Sequence, residues 1–143
     1  MAATASRGGF EVSFRALLVC VFALAAATPA FAGGSLLHGK WALEELRDGV
    51  VTSGVHTTLE VGPGGRAGGN GGCNGYGGSV SVNGDTVQFT DIAWTEMACE
   101  PATMAQEASF LAVLAAAAKF HAEAGVLVLI DSAGSKLATL RAF

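Results

Sequence analysis

Two short motifs, each with one cysteine, constrain the fold of this chain more than any other feature. Residues 72–78 read Gly-Cys-Asn-Gly-Tyr-Gly-Gly, and residues 95–99 read Thr-Glu-Met-Ala-Cys. Ten glycines lie between residues 62 and 78, which are too many for a helix and too many interruptions for a long strand. The two motifs therefore predict a small β domain in which a disulfide joins two glycine-rich or irregular segments.

The N-terminal segment has the pattern of an export signal. Residues 16–27 form an unbroken apolar run, and residues 30–32 read Ala-Phe-Ala, the small-x-small pattern of a signal peptidase site. The run is shorter than the roughly 20 residues that a membrane-spanning helix needs. We therefore expect cleavage after Ala32, loss of Cys20, no transmembrane anchor in the mature protein, and a periplasmic or secreted location.

Residues 33–143 are then the mature chain, which is long enough for one domain. Six Lys and Arg residues oppose eleven Asp and Glu residues in this range, and the basic residues form no cluster. Nucleic acid is therefore excluded as an expected partner. We expect a monomer.

The mature chain keeps two cysteines, Cys73 and Cys99, and an oxidising compartment favours their pairing. The bridge would close a loop of about 26 residues and stabilise the fold by about 3.5 kcal/mol. Two free thiols and a metal-binding pair remain alternatives at this point. Zinc would need two further ligands, and His38, His56 and His121 have no ligand spacing.

Turn residues divide the mature chain into short strands. Asn83-Gly84-Asp85 predicts a tight hairpin turn, and further turns are expected at residues 48–49, 123–125 and 131–134. The predicted strands between these turns are residues 40–46, 57–61, 80–82, 86–89, 92–97, 120–122, 126–130 and 136–141.

One segment, residues 103–118, has helical rather than strand periodicity. Thr103 and Gln106 have the spacing of a capping box at its start. Four apolar residues at helical spacing predict the face that packs on the sheet, and three polar residues are expected on the other side. The apolar residues are Phe110, Val113, Leu114 and Ala117, and the polar residues are Gln106, Glu107 and Ser109.

Motifs of catalytic sites are missing from the sequence. It contains no phosphate-binding Gly-Lys-Ser/Thr, no complete G-x-G-x-x-G, no G-x-S-x-G and no H-E-x-x-H. A thiol dyad of Cys73 and His121 is excluded if the cysteine is oxidised, because only a thiolate is a nucleophile. We therefore expect no enzymatic activity, no catalytic residues, no metal and no cofactor.

Several residues together resemble the META domain family, the family of the bacterial heat-shock protein HslJ. The resemblance rests on the two cysteine motifs in this order, on aromatic and leucine positions of the strands, and on the helix. The matching residues are Trp41, Leu43, Gly72, Cys73, Asn74, Tyr76, Gly78, Thr95, Met97, Ala98, Cys99, Glu107, Phe110, Leu114, Leu127, Leu129 and Leu140. Gly75 departs from the family, whose members often carry a larger polar residue there.

The resemblance implies a mainly β, α+β architecture: an antiparallel lipocalin-like barrel or curved sheet with one packed helix. It also implies an exported or envelope-associated protein linked to stress, in a family without an established catalytic activity. The motif residues are interpreted either as part of the structural framework or as a binding surface. They are Gly72, Asn74, Tyr76, Gly78, Thr95 and Met97.

Each motif side chain has a local structural use, which favours the framework interpretation. Asn74 is expected to bond its neighbouring backbone or to adopt left-handed geometry. Tyr76 is expected to bury its ring while its hydroxyl group finds a partner. Glycine suits a bulge beside a disulfide.

The resulting functional hypothesis is a non-catalytic exported protein that contributes to envelope tolerance of heat or antibiotics by binding or buttressing envelope components. Its partner is expected to be an envelope protein or a small apolar ligand. The alternative is a secreted carrier, with a barrel pocket lined by Trp41, Phe89 and Trp94, or an inhibitor of exported hydrolases.

Overall fold

The computed structural model describes residues 36–143 of the 143-residue chain. The predicted signal segment at residues 1–32, its cleavage site and Cys20 lie outside the described residues. None of the helices in the described range is both long enough and apolar enough to cross a membrane.

In the described part of the chain, eight antiparallel strands close into a barrel, and one long helix lies between the fifth and sixth strands. Each strand pairs with its neighbours in the chain, and the last strand returns to pair with the first. For residues 36–143, this confirms the mainly β fold with one packed helix. The elements are β1 Gly39–Leu46, β2 Thr58–Gly62, β3 Arg66–Asn70, β4 Gly75–Asn83, β5 Thr86–Trp94, α1 Pro101–Ala116, β6 Lys119–Glu123, β7 Val126–Ile130 and β8 Lys136–Ala142.

Alternate residues of the strands fill the interior of the barrel. Leu127 and Leu129 of β7 and Leu140 of β8 are fully buried, as the two-residue period of a strand requires. Trp41 of β1 is also inside, and its indole Nε1 donates a hydrogen bond to the carbonyl of Leu37 at 2.9 Å. These side chains form the core that the helix covers.

The glycine-rich segment forms strands, which corrects the expectation of no long strand there. It contributes β3 and the first half of the nine-residue β4. The reason is close backbone approach at a bulge, where a Cβ at Gly78 would lie 2.7 Å from the carbonyl oxygen of Thr90. Glycine is therefore required for packing at this point rather than for a turn.

The hairpin between β4 and β5 is confirmed. Asn83 pairs with Thr86, and Gly84 at the tip has a φ of +61°. A positive φ at the first central residue suits glycine and matches the twist of the flanking strands. The strand predicted for residues 92–97 ends at Trp94.

The start of α1 differs from the predicted capping box. The helix begins at Pro101, which occupies the first turn, where its missing N–H is tolerated. Glu100 is the N-cap residue and makes no side-chain capping bond, while Thr103 and Gln106 lie inside the helix. The capping-box prediction is therefore wrong, because Gln106 is used elsewhere in the core.

The junction between β5 and β6 is the weakest part of the barrel ladder. Only one residue pair, Thr86 with Lys119, joins the two strands. A backbone hydrogen bond from the N–H of Val87 to the carbonyl of Ala118 reinforces this junction at 3.0 Å. Beyond it β5 diverges from β6, and α1 returns beside β5 from its far end.

Candidate functional site

A buried carboxylate connects the first cysteine motif to the helix. Glu107, on the second turn of α1, is 3 % exposed. Its Oε2 accepts hydrogen bonds from the backbone N–H groups of Cys73, at 2.9 Å, and Asn74. Its Oε1 accepts a bond from Nδ2 of Asn74 at 2.7 Å. Three charge-assisted bonds therefore fix the helix to the start of β4.

The side chain of Asn74 connects the same point to the second cysteine motif. Its Oδ1 accepts hydrogen bonds from the hydroxyl of Thr95, at 2.9 Å, and from the N–H of Met97, at 2.7 Å. Its Nδ2 also donates to the carbonyl of Met97 at 3.2 Å. Asn74 is 1 % exposed, so its side-chain amide makes these hydrogen bonds inside the protein.

This role of Asn74 corrects the expectation made from the sequence. Asn74 is absent from the positive-φ residues of the described chain, and its side chain bonds to distant segments rather than to its own neighbours. The reason is that a buried amide needs partners on all sides, which a carboxylate, a hydroxyl group and two backbone groups supply.

The disulfide between Cys73 and Cys99 joins the same two segments covalently. The Cα atoms of the two residues are 5.9 Å apart, and 26 positions separate them in the chain. The predicted pairing is present, in place of two free thiols. Within residues 36–143, no three His, Cys, Asp or Glu residues are grouped to hold a metal ion.

Burial and hydrogen bonding have opposite effects on the pKa of Glu107. Burial raises it, because a charged carboxylate loses water. The bonds from the side chain and N–H of Asn74 and from the N–H of Cys73 outweigh burial, so the pKa of Glu107 lies below its ordinary value. The carboxylate is therefore ionised at neutral pH and acts as an acceptor.

The predicted apolar face is buried in the core, so the prediction for Phe110, Val113, Leu114 and Ala117 is confirmed. Gln106 and Glu107, predicted on the other side, also face the barrel, which corrects that part of the prediction, and Ser109 is half-buried. Gln106 is 1 % exposed, donates from Nε2 to the hydroxyl of Thr57 at 2.9 Å, and accepts from the N–H of Thr52 at 2.6 Å. Sequence reasoning therefore missed Gln106 and Glu107 as buried residues. Their spacing was the available signal, because they precede the core residue Phe110 by four and three positions.

Tyr76 is part of the core beneath this network. Its ring meets the edge of the Phe110 ring, with centroids 6.0 Å apart, and its hydroxyl donates to the carbonyl of Thr58 at 2.7 Å. Burial and, secondarily, the charge of Glu60 raise the pKa of Tyr76. The expectation of a buried ring with a bonded hydroxyl is confirmed.

The remaining motif residues lie around the same junction. The N–H of Gly72 donates to Oδ1 of Asn70 at 2.8 Å, and Gly78 lies at the β4–β5 bulge. Met97 contributes only its backbone, since its side chain is 57 % exposed. The structure thus brings Gly72, Asn74, Thr95 and Met97 together, with Tyr76 and Gly78 further along β4.

The predicted carrier pocket inside the barrel is wrong. Trp41 and Phe89 are packed in the core, whereas Trp94 lies outside and is 49 % exposed. Large side chains fill the interior of this small barrel. An apolar groove of about 590 Å³ lies instead on the outside, between β5 and α1.

Two rows of residues form this groove, which we call the β5–α1 groove. From α1 come Met104, Ala108, Leu111, Ala112 and Ala115, a stripe at helical spacing that is separate from the buried face. From β5 come Phe89, Thr90, Asp91, Ile92 and Trp94. Asp91 and Glu107 are its only charged lining residues in the described chain, and Glu107 is already bonded internally.

A closed eight-stranded antiparallel barrel, an inserted helix and a disulfide beside a buried Asn–Glu pair define a small β-barrel module. The profile of the META domain matches residues 34–142. The chain therefore belongs to the META domain family, and the resemblance found in the sequence is confirmed. No curated protein matches the chain.

Solved structures share this fold. An NMR structure of a protein from Burkholderia xenovorans is 25 % identical, with a TM-score of 0.65 over 78 % of this chain and 87 % of that one. A second NMR structure is 20 % identical, with a TM-score of 0.61 over 77 % and 93 % of the two chains. A crystal structure of a duf4847 family protein from Bacteroides vulgatus is 15 % identical, with a TM-score of 0.54 over 74 % and 93 %. The last two similarities concern the fold alone.

Proposed function

We propose that this META-domain protein is an exported, non-catalytic binding module that contributes to the tolerance of envelope stress, such as heat or bulky hydrophobic antibiotics. The β5–α1 groove is its binding surface. The observation that carries the proposal is the presence of two separate faces on α1. One face is buried and holds Gln106 and Glu107 among apolar core residues, and the other is an outward apolar stripe.

That division distinguishes the framework from the binding surface. The motif side chains of Asn74 and Glu107 are buried and bonded to each other, so they offer no free polar atoms to a partner. The stripe of α1 is apolar and open instead. An exposed apolar stripe on a helix is normally covered by another surface, which supports a partner on this stripe.

The same geometry supports a non-catalytic role. The strongest acceptor of the junction, Glu107, holds three hydrogen bonds and has its pKa lowered, which makes it a poor general base. Cys73 is oxidised and provides no thiolate. The groove itself is lined mainly by apolar side chains, and its polar lining residues are Thr90, Asp91 and the internally bonded Glu107.

The volume of the groove favours a second candidate, the carriage of a small apolar ligand. A groove of about 590 Å³ lies in the range of small-molecule sites. This candidate differs from the carrier predicted from the sequence, because the ligand would bind outside the barrel and not within it.

The proposal is tested in a strain from which the gene has been deleted. Survival is measured under heat and under a bulky hydrophobic antibiotic, with add-back of the wild type, of Ala108→Arg and of Ala105→Arg. Ala108 is an exposed residue of the groove stripe, and Ala105 is an exposed residue of the same helix outside the groove. Both changes add the same side chain, so the second is a matched control.

We expect the wild type and Ala105→Arg to restore survival and Ala108→Arg to fail at equal protein level. Equal rescue by both variants would show that the groove is not the working surface. A deletion strain as resistant as its parent would overturn the stress role. Cell fractionation and the N-terminal mass of the mature protein test export, with a chain beginning at Gly33 as the expected result.

A further inference from the structure

The outer edge of β5 has no strand partner over most of its length in the described structure. Its ladder with β6 contains only the pair Thr86 and Lys119, and the backbone bonds at that junction end at Val87. Residues 88–90 and 93–94 pair with β4 on the other side, and Asp91 and Ile92 lie in the bulge between these two stretches. An unpaired strand edge presents N–H and C=O groups that another extended chain can bind.

The helix stands where the next strand would lie, and it leaves the β5–α1 groove between itself and this edge. Residues 89–94 of β5 border the groove, and a bulge at Asp91, whose φ is 54°, interrupts the extended backbone between them. A groove between a strand edge and an apolar helix is a recurring arrangement for binding a peptide as an added strand.

The two charged residues that line the groove, Asp91 and Glu107, are both acidic. No Lys or Arg occurs between Arg66 and Lys119, while β5, α1 and the loop between them carry Asp91, Glu96 and Glu100 in addition to the bonded Glu107. Asp91 lines the groove itself. Such a field attracts a cationic partner and repels anionic lipid headgroups.

We propose that the β5–α1 groove binds an extended segment of another protein, with alternating apolar side chains and at least one Lys or Arg, as an additional strand on β5. The segment packs its apolar side chains on the α1 stripe and places its cation near Asp91. This inference rests on the proposed binding function and specifies the chemistry of the partner.

The first test is fluorescence polarisation of the purified mature protein with a fluorescein-labelled peptide of sequence TVTVKVT. Two further peptides carry N-methyl groups on alternate backbone amides, one on the odd and one on the even positions. N-methylation removes hydrogen-bond donors from one edge of an extended chain and keeps every side chain. Strand addition uses one edge only, so one methylated peptide loses about tenfold or more in affinity and the other stays within about threefold.

The variants identify the surface. We expect Ala108→Arg to weaken binding at least about tenfold, because it places bulk and positive charge in the groove, and Ala105→Arg to stay within about twofold. Asp91→Asn keeps a residue type that tolerates the φ of 54° observed here. It should weaken the lysine peptide about threefold and leave a norleucine analogue unchanged.

Three results would overturn the inference. They are equal binding of both methylated peptides, no binding of the parent peptide up to about 1 mM, and a concentration-dependent dimer that Ala108→Arg abolishes while peptides do not bind. None of these three results tests the proposed contribution to envelope stress tolerance. If Ala108→Arg still fails to restore survival of the deletion strain, the groove works with a different partner, and only the strand-addition mode is lost.

Discussion

The replacement Glu107→Gln tests whether a single buried carboxylate holds the helix to the two cysteine motifs. Glutamine has nearly the same shape as glutamate, but one of its two terminal atoms is a donor instead of an acceptor. If its oxygen accepts from the backbone N–H groups of Cys73 and Asn74, its NH₂ group faces Nδ2 of Asn74. Two donors then oppose each other in a buried site.

Asn74 cannot relieve this conflict by rotating its amide. A flip would turn Nδ2 toward the N–H of Met97 and the hydroxyl of Thr95, and both groups would lose their acceptor. The variant loses one bond outright, leaves a donor unsatisfied at about 1–3 kcal/mol, and turns two charge-assisted bonds into weaker neutral ones. We expect a loss of about 3 kcal/mol in the free energy of unfolding, a large share of the roughly 5–15 kcal/mol typical of a domain.

Urea unfolding with the disulfide intact measures this loss, and Glu96→Gln is the matched control on an exposed glutamate. The control should change the free energy of unfolding by less than about 0.5 kcal/mol. The double variant Asn74→Asp, Glu107→Gln exchanges acid and amide, but its new carboxylate oxygen faces the carbonyl of Met97, which accepts from Nδ2 in the wild type. We therefore expect no recovery relative to Glu107→Gln. A loss below about 1 kcal/mol in Glu107→Gln would refute the assigned network.

The pH dependence has a definite sign. The pKa of Glu107 is lower in the folded protein than its ordinary value, so its contribution is complete above that ordinary value and is lost as the pH falls through the folded pKa. The difference in stability between the wild type and Glu107→Gln should therefore narrow below about pH 4. Hydrogen bonds also lower the pKa of Asp131 and of Glu45, but both carboxylates are present in each protein and cancel in the difference.

Three further changes test other parts of the framework. Cys73→Ser should lower the free energy of unfolding by about 3.5 kcal/mol, and reduction of the wild type should reproduce this loss in the same urea assay. Gly78→Ala should lower the free energy of unfolding by about 1–3 kcal/mol, because the added Cβ would clash at the bulge. Gly64→Ala adds a Cβ with no atom within 4 Å, so it should leave the midpoint of thermal unfolding unchanged. Tyr76→Phe should cost about 1 kcal/mol by leaving the carbonyl of Thr58 without this bond, and an unchanged midpoint would contradict that role.

The strand order was accessible from the sequence because turns and alternation carry local signals. The hairpin at Gly84 and the alternating Leu127 and Leu129 identify their strands without tertiary information. The strands β3 and β4 were harder to identify, because their glycines reflect close approach between neighbouring strands. Close approach is a property of the assembled sheet, which a local pattern does not encode.

The candidate site also has a part that the sequence could predict and a part that it could not. The cysteine pair follows from parity and compartment. The inward position of Glu107 was not predicted, although its spacing to Phe110 carried the signal. The groove has no such signal, since it arises where β5 diverges from β6 after a single residue pair. The prediction that Trp94 and Trp41 line one pocket was wrong because hydrophobicity does not specify which side of a barrel wall a residue occupies.

The buried polar network and the β5–α1 groove lie on two different faces of α1. This relation explains why the Asn74 motif lies beside the helix. An apolar helix could cover the barrel in several rotations, because Ala and Leu pack with little directional preference. The bonds of Glu107 to the Asn74 side chain and backbone and those of Gln106 to Thr57 and Thr52 have strict geometry, so they select one rotation. That rotation turns the stripe of Ala108 outward beside the free edge of β5. The buried polar residues bond only within the protein. By fixing the rotation of α1, they determine which apolar surface of the helix remains exposed for a partner.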